Sequence, residues 1–132
     1  MEVRDALEAD AERLAALTEV PPDVMRNLVH DRTVRVAVDD DEIRGFVSFD
    51  AREATVHITQ LKGEPETFER LLDEPVTFAR TERMAVQLLV PASESGLPEA
   101  AAAAGFESAG SGPRFEGEPT EKYRLEPGTE TH

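Results

Sequence analysis

Residues 84–106, MAVQLLVPASESGLPEAAAAAGF, decide the fold. Residues 84–90 form the most apolar run of the chain and read as a central strand buried on both faces. Ser93 or Ser95 is placed to cap a helix that runs through Pro98 and Ala100–Ala104. Gly105 is its natural stop, and Phe106 opens another strand. Downstream, residues 109–120 hold three Gly and two Pro and read as a loop, and Lys122 to Leu125 is a last strand. Upstream, Phe68, Leu71, Leu72, Val76 and Ala79 make a helical stripe that Pro75 is expected to kink or interrupt. Gly63-Glu64-Pro65 separates that stripe from residues 54–61, where Val56 and Ile58 alternate with Thr55, His57 and Thr59.

The N-terminal half extends the pattern. Residues 33–50 read as a hairpin: TVRVAV goes out with Val34, Val36 and Val38 on one side, Asp39-Asp40-Asp41 turns, and IRGFVSFD returns. Two helices precede it. One carries Leu7, Ala11, Leu14 and Leu17, and Pro21-Pro22 ends it. The other starts at Pro22 with Val24, Met25, Leu28 and Val29 on one face. Residues 2–6 are a short opening strand. The order is strand, helix, helix, three strands, helix, strand, helix, two strands. It predicts an α+β domain whose mixed, largely antiparallel central sheet has helices on both faces.

Length and composition bound the rest. A chain of 132 residues with 31 Leu, Ile, Val or Phe supports one core. The expected division is one domain over 1–125 and a flexible acidic tail over 126–132. Asp and Glu number 28 against 14 Lys and Arg, a net charge of −14. Such a surface repels nucleic-acid backbones and anionic membranes, so neither is an expected partner. Cysteine is absent, which excludes disulfides, thiolate metal sites and cysteine nucleophiles. No apolar run approaches the roughly 20 residues that span a bilayer, and Met1-Glu2-Val3-Arg4-Asp5 lacks a signal-peptide pattern. The expected compartment is the cytoplasm. Only Lys62 and Lys122 are lysines, and the other basic residues are arginines. Excess carboxylate with little lysine resembles the proteins of salt-accumulating halophiles, where concentrated salt shortens the Debye length and relieves self-repulsion.

The element order resembles the GNAT acetyltransferase superfamily, and several motifs carry the likeness. Val3-Arg4-x-Ala6-x-x-x-Asp10 is similar to the family's first strand and the start of its first helix. Leu89-Val90, sixteen residues before Phe106, with Gly105-Phe106, resembles the spacing from the fifth strand to the "GF" after the fourth helix. Phe115-Glu116-Gly117-Glu118 and then Tyr123-Arg124-Leu125 resemble the final hairpin. The resemblance implies acetyl transfer from acetyl-CoA, as cosubstrate, to an amine on a small molecule or peptide. It implies no metal and is compatible with a homodimer. By the same resemblance, Leu61 and Val90 flank the acetyl group with backbone N–H donors. Lys62, Gly63 and Thr67 line the pyrophosphate, and His57 is the candidate base.

Two departures bear on function. The family's pyrophosphate loop offers successive backbone N–H groups from a glycine-rich turn at a helix N-terminus. Here the corresponding Gln60-Leu61-Lys62-Gly63-Glu64-Pro65-Glu66-Thr67 is short and keeps one glycine. Pro65 lacks an N–H, and Glu64 and Glu66 bring negative charge. This chemistry predicts weakened CoA binding. The family's Asn and acid Tyr on the fourth helix correspond to Glu94 and Ala101, and alanine transfers no proton. Tyr123 reads as a packing residue. An alternative is therefore a non-catalytic binding or regulatory module on the same fold. His30 reads as a helix C-terminal charge, His132 lies in the tail, and Asp39–Asp41 as a solvated turn. No Ser-His-Asp set, zinc spacing or dinucleotide fingerprint is present.

Overall fold

A computed structural model describes residues 1–18, 20–94, 96–114 and 117–127. The elements are β1 (Glu2–Asp5), α1 (Ala11–Thr18), α2 (Pro22–Asp31), β2 (Thr33–Asp39), β3 (Glu42–Arg52), β4 (Thr55–Gly63), α3 (Phe68–Glu82), β5 (Ala85–Pro91), α4 (Leu97–Ala103), β6 (Glu107–Ser111) and β7 (Thr120–Leu125). Short 3-10 turns, Glu8–Asp10 and Pro65–Thr67, lead into α1 and α3.

The strands form one sheet in the order β1-β2-β3-β4-β5-β7-β6. Every neighbouring pair is antiparallel except β4 and β5, which α3 connects as a parallel crossover. The alternation of strand side chains divides the core into two layers. Ala37, Val47, Phe49, Val56, Ile58, Val86, Leu88 and Val90 face α3 and α4. Val34, Val36, Ile43 and Phe46 face α1 and α2. The expected mixed sheet with helices on both faces is the one observed. Val86, Leu88, Val90 and Phe106 are buried, as the apolar run implies.

Several local expectations need correction. Pro75 does not interrupt α3, which runs through it. It is buried, as are Leu71, Leu72, Val76 and Ala79 of the same helix, and burial of that face offsets the missing i→i−4 bond. The first helix begins at Ala11, not Leu7. Asp10 turns back so that its Oδ2 accepts from Leu7 N–H at 2.8 Å, and Leu7 is left exposed. Val24 is exposed while Met25 is fully buried. Neither serine caps α4: the N-cap is Gly96, without a side-chain hydrogen bond. Ser93 N–H instead donates to the Glu118 carboxylate, and Ser95 lies outside the described residues. The segment read as a 109–120 loop is shorter, because β6 extends to Ser111 and β7 starts at Thr120. Phe115, Glu116, His132 and residues 128–131 of the tail also lie outside the described residues.

Candidate functional site

The site is built where β4 and β5 part. Their parallel ladder runs from Thr55↔Ala85 to Ile58↔Leu88 and stops there, although β4 continues to Gly63 and β5 to Pro91. The cause is local to β4. The register against β3 passes from Ser48↔Gln60 to Phe49↔Ile58, so Thr59 is an extra residue on β4. Such a bulge bends its strand and increases its twist. Two hydroxyls pin it: Ser48 Oγ and Thr59 Oγ1 lie 2.5 Å apart, and Thr59 Oγ1 donates to the Ser48 carbonyl at 3.1 Å. The bulge also resets the alternation. Leu61 turns to the α3 layer and is buried there, together with Val90 from the facing strand.

The turn after β4 is closed on itself. Gly63 has φ +129°, and a Cβ there would stand 2.3 Å from Gly45 Cα, so only glycine fits. Glu64 N–H donates to the Arg44 carbonyl at 3.0 Å. The Glu64 carbonyl accepts both Thr67 N–H at 2.9 Å and Thr67 Oγ1 at 2.7 Å. Phe68 N–H donates to the Pro65 carbonyl. Thr67 is almost wholly buried. Its donors and those of Glu64 and Phe68 are therefore engaged within the protein. The Glu64 carboxylate pairs with Arg44 at 3.2 Å. The start of α4 comes down on this turn, since a Cβ on Gly96 would be 3.1 Å from Pro65 Cβ.

Across the parted strands, Lys62 Nζ reaches Glu94 Oε2 at 3.3 Å, so Glu94 holds the lysine. Hydrogen bonds from the Ser93 side chain and N–H, with Lys62 nearby, hold the Glu118 carboxyl below the usual range. Ala101 is fully buried in the α3–α4 layer, and Tyr123 packs partly buried against it. Neither stands as a proton donor at the opening.

His57 is the last β4 residue before the ladder's final pair, half-buried, on the face opposite Val56 and Ile58. Its cross-strand partners are Asp50 on β3 and Gln87 on β5, and Gln87 is followed by Arg124 on β7. Asp50 becomes the neighbour of His57 only through the hairpin register, which residue types alone do not show. One Asp50 oxygen, Oδ2, is held by the Arg32 guanidinium at the end of α2, and Arg52 Nε lies 3.9 Å from it. The other, Oδ1, is buried without a hydrogen-bond partner. His30 pairs with Glu8, away from the opening. His57, Leu61 and Val90 thus all lie on the parting strands, with the His57 side chain on the face opposite those of Leu61 and Val90; Lys62 and Gly63 end β4, and Thr67 is buried in the turn beyond it. Among the described residues no group of three or more His, Asp or Glu side chains converges on a possible metal ion, and no helix is long and apolar enough to cross a membrane.

No family model matches this sequence, and no curated protein matches it. Solved structures do. The yncA protein of Salmonella typhimurium, solved with its cofactor acetyl-CoA, superposes with a TM-score of 0.80 at 16% identity, covering 100% of this chain and 95% of that one. The ribosomal-protein-alanine N-acetyltransferase of Brucella melitensis gives 0.76 at 17% identity, over 94% of this chain and 98% of that one. The aminoglycoside 6′-N-acetyltransferase of Enterococcus faecium gives 0.76 at 13% identity, over 94% and 96%. These likenesses establish the fold as that of the GNAT acyl-CoA N-acyltransferases.

Proposed function

We propose that this chain is an N-acetyltransferase of the GNAT type. It moves an acetyl group from acetyl-CoA to an amine on a small molecule or peptide, with a weakened hold on the CoA pyrophosphate. Residues 1–125 act as one domain in a salt-rich cytoplasm. The observation that carries this reading is the parting of β4 and β5 beyond Ile58 and Leu88, with His57 beside the point of parting. Parted strands leave unladdered backbone groups at which a thioester carbonyl can be polarised and an extended pantetheine arm can lie. The thioester supplies an activated carbonyl carbon. His57 is placed to take the proton that the attacking amine must lose. The CoA thiolate leaves to solvent water, since Ala101 supplies no acid.

The weakened pyrophosphate grip follows from the turn. A phosphate site needs backbone N–H groups aimed outward. Here Glu64, Thr67 and Phe68 N–H point into the turn's own carbonyls or a neighbouring strand. Pro65 has none, and Glu64 and Glu66 add like charge. The same observation favours a second reading, a GNAT-fold binding module without turnover.

Release of CoA thiol separates the two. The chain has no cysteine, so a thiol reagent reads only product. In molar KCl with millimolar acetyl-CoA, an amine panel is expected to contain acceptors that raise thiol release above spontaneous hydrolysis. No amine-dependent release, together with no calorimetric binding of acetyl-CoA, refutes the transferase reading.

A further inference from the structure

We propose that Asp50 is the positioning residue of His57: its buried Oδ1 accepts an imidazole N–H and fixes the tautomer and orientation of the ring. The inference rests on the reading above for the catalytic use of His57. The hydrogen bond itself is argued from this chain's own geometry.

Asp50 and His57 are directly opposed in the antiparallel β3–β4 ladder. Cβ atoms of opposed residues lie roughly 4.5–5.5 Å apart, so an imidazole and a carboxylate on one face are within reach by side-chain rotation alone. They do share a face. Their neighbours Phe49, Val56 and Ile58 all point into the α3 layer, which turns Asp50 and His57 to the other side. The carboxylate is half used. Arg32 anchors Oδ2, while Oδ1 is sealed from water with no donor. A bare buried carboxylate oxygen is costly, and native structures supply it with a donor. Of the two strand neighbours of His57, Gln87 is neutral and Asp50 is the carboxylate. The other charged groups around the ring are the cations Arg32, Arg52 and, beyond Gln87, Arg124, with Glu107 at the far edge of the row.

The arrangement has a chemical consequence. With one ring nitrogen donating to Asp50, the other is a lone-pair acceptor, the form that takes a proton from an amine. The carboxylate then stabilises the imidazolium formed by the transfer. Arg32 keeps the carboxylate in place, so the residue that follows α2 reaches the base through one intermediary.

The test is the imidazole tautomer of His57, read by 15N NMR on the full chain in molar KCl at a pH where the ring is neutral. Wild type is expected to give one tautomer. In Asp50→Asn the amide oxygen stays on Arg32 and the amide N–H faces the ring, so the opposite tautomer is expected. Arg32→Gln keeps the carboxylate and should keep the wild-type tautomer, and Asp50→Glu should restore it. In steady state, Asp50→Asn should lower kcat roughly ten- to hundred-fold, part of what a general base contributes, with KM unchanged. Mixed tautomers in wild type overturn the proposal without any variant. So does an Arg32→Gln spectrum that matches Asp50→Asn, which would make the effect one of packing. The NMR arm uses no acetyl-CoA, so a locked tautomer in a chain that transfers no acetyl upholds the hydrogen bond while refuting the transferase reading.

Discussion

Changing Glu64 and Glu66 together to glutamine (E64Q/E66Q) is expected to tighten acetyl-CoA binding. The two side chains stand on the turn that a pyrophosphate would meet, and both are part-exposed or exposed. At about 4 Å, a carboxylate opposes one phosphate charge by about 1 kcal/mol in a water-like dielectric. Exposure discounts this toward the range of surface pairs, below about 1 kcal/mol each. The pair of substitutions therefore returns about 1–2 kcal/mol, or roughly five- to thirty-fold in affinity. Glu64→Gln also leaves Arg44, now 3.2 Å from the Glu64 carboxylate, with Glu42 as its remaining carboxylate partner. The gain is electrostatic, so it should shrink in molar KCl, where the Debye length is about 3 Å. It should not reach the affinity of an open phosphate loop, because Glu64 and Thr67 N–H stay committed to Arg44 and to Glu64 itself. Isothermal titration of both proteins with acetyl-CoA, at the lowest KCl that keeps them folded and again at 2 M, measures it. The reasoning fails if E64Q/E66Q binds no tighter at either salt. It also fails if the unaltered chain binds at micromolar affinity with shift changes centred on Lys62, Gly63 and Thr67.

Four further outcomes are expected. Leu88→Ala, in the buried centre of β5, should cost about 2–5 kcal/mol in urea unfolding, with an unchanged m-value. Gly63→Ala should cost more than about 1 kcal/mol in the same assay, because alanine meets Gly45 Cα and adopts φ +129° poorly. At −14 net charge the melting temperature should rise markedly from dilute buffer to molar KCl, and a flat response by calorimetry would remove the halophile reading. Burial pushes the Asp10 carboxyl up, but Arg4 and the Leu7 N–H outweigh it and hold it below the usual range. A depressed carboxyl contributes stability above its unfolded value and loses it as pH falls through the folded one. Asp10→Asn should thus lower stability near neutrality and flatten the acid limb below about pH 4, where the carboxyl's contribution is already lost.

The strand periodicities were legible because they follow from burial. The 33–50 hairpin, the 84–90 strand and the Gly105 stop each rest on a local pattern whose physics does not depend on distant residues. Pro75 is not legible as a helix-interior residue because propensity is local, while the burial of the α3 face that carries it, against the sheet and α4, is not. The Thr59 bulge carries no residue signature of its own. Alternation over residues 54–61 predicts a regular strand, and only the pairing with β3 exposes the extra residue. Of the candidate site, His57 and the turn at Gly63 could be read from residue types. Asp50 could not, since it stands seven positions before His57 and only the register of the ladder brings the two together. The signal that would have found it is the hairpin itself, once its pairing is counted outward from a turn at residues 53–54.

The division of the core into two unequal layers has a dynamic consequence. The layer under α1 and α2 contains the smaller cluster, centred on Leu14, Met25, Val36 and Phe46, whereas α3 and α4 cover the larger one. Opening free energy scales with the apolar surface a segment gives up, so a sheet shared by two layers need not release both at once. The α1–α2 pair is therefore expected to exchange its amide hydrogens before the β3–β4–β5 ladder, which native-state hydrogen exchange would read. Because Arg32 ends α2 and grips Asp50, each such excursion also slackens the far end of the row that holds His57.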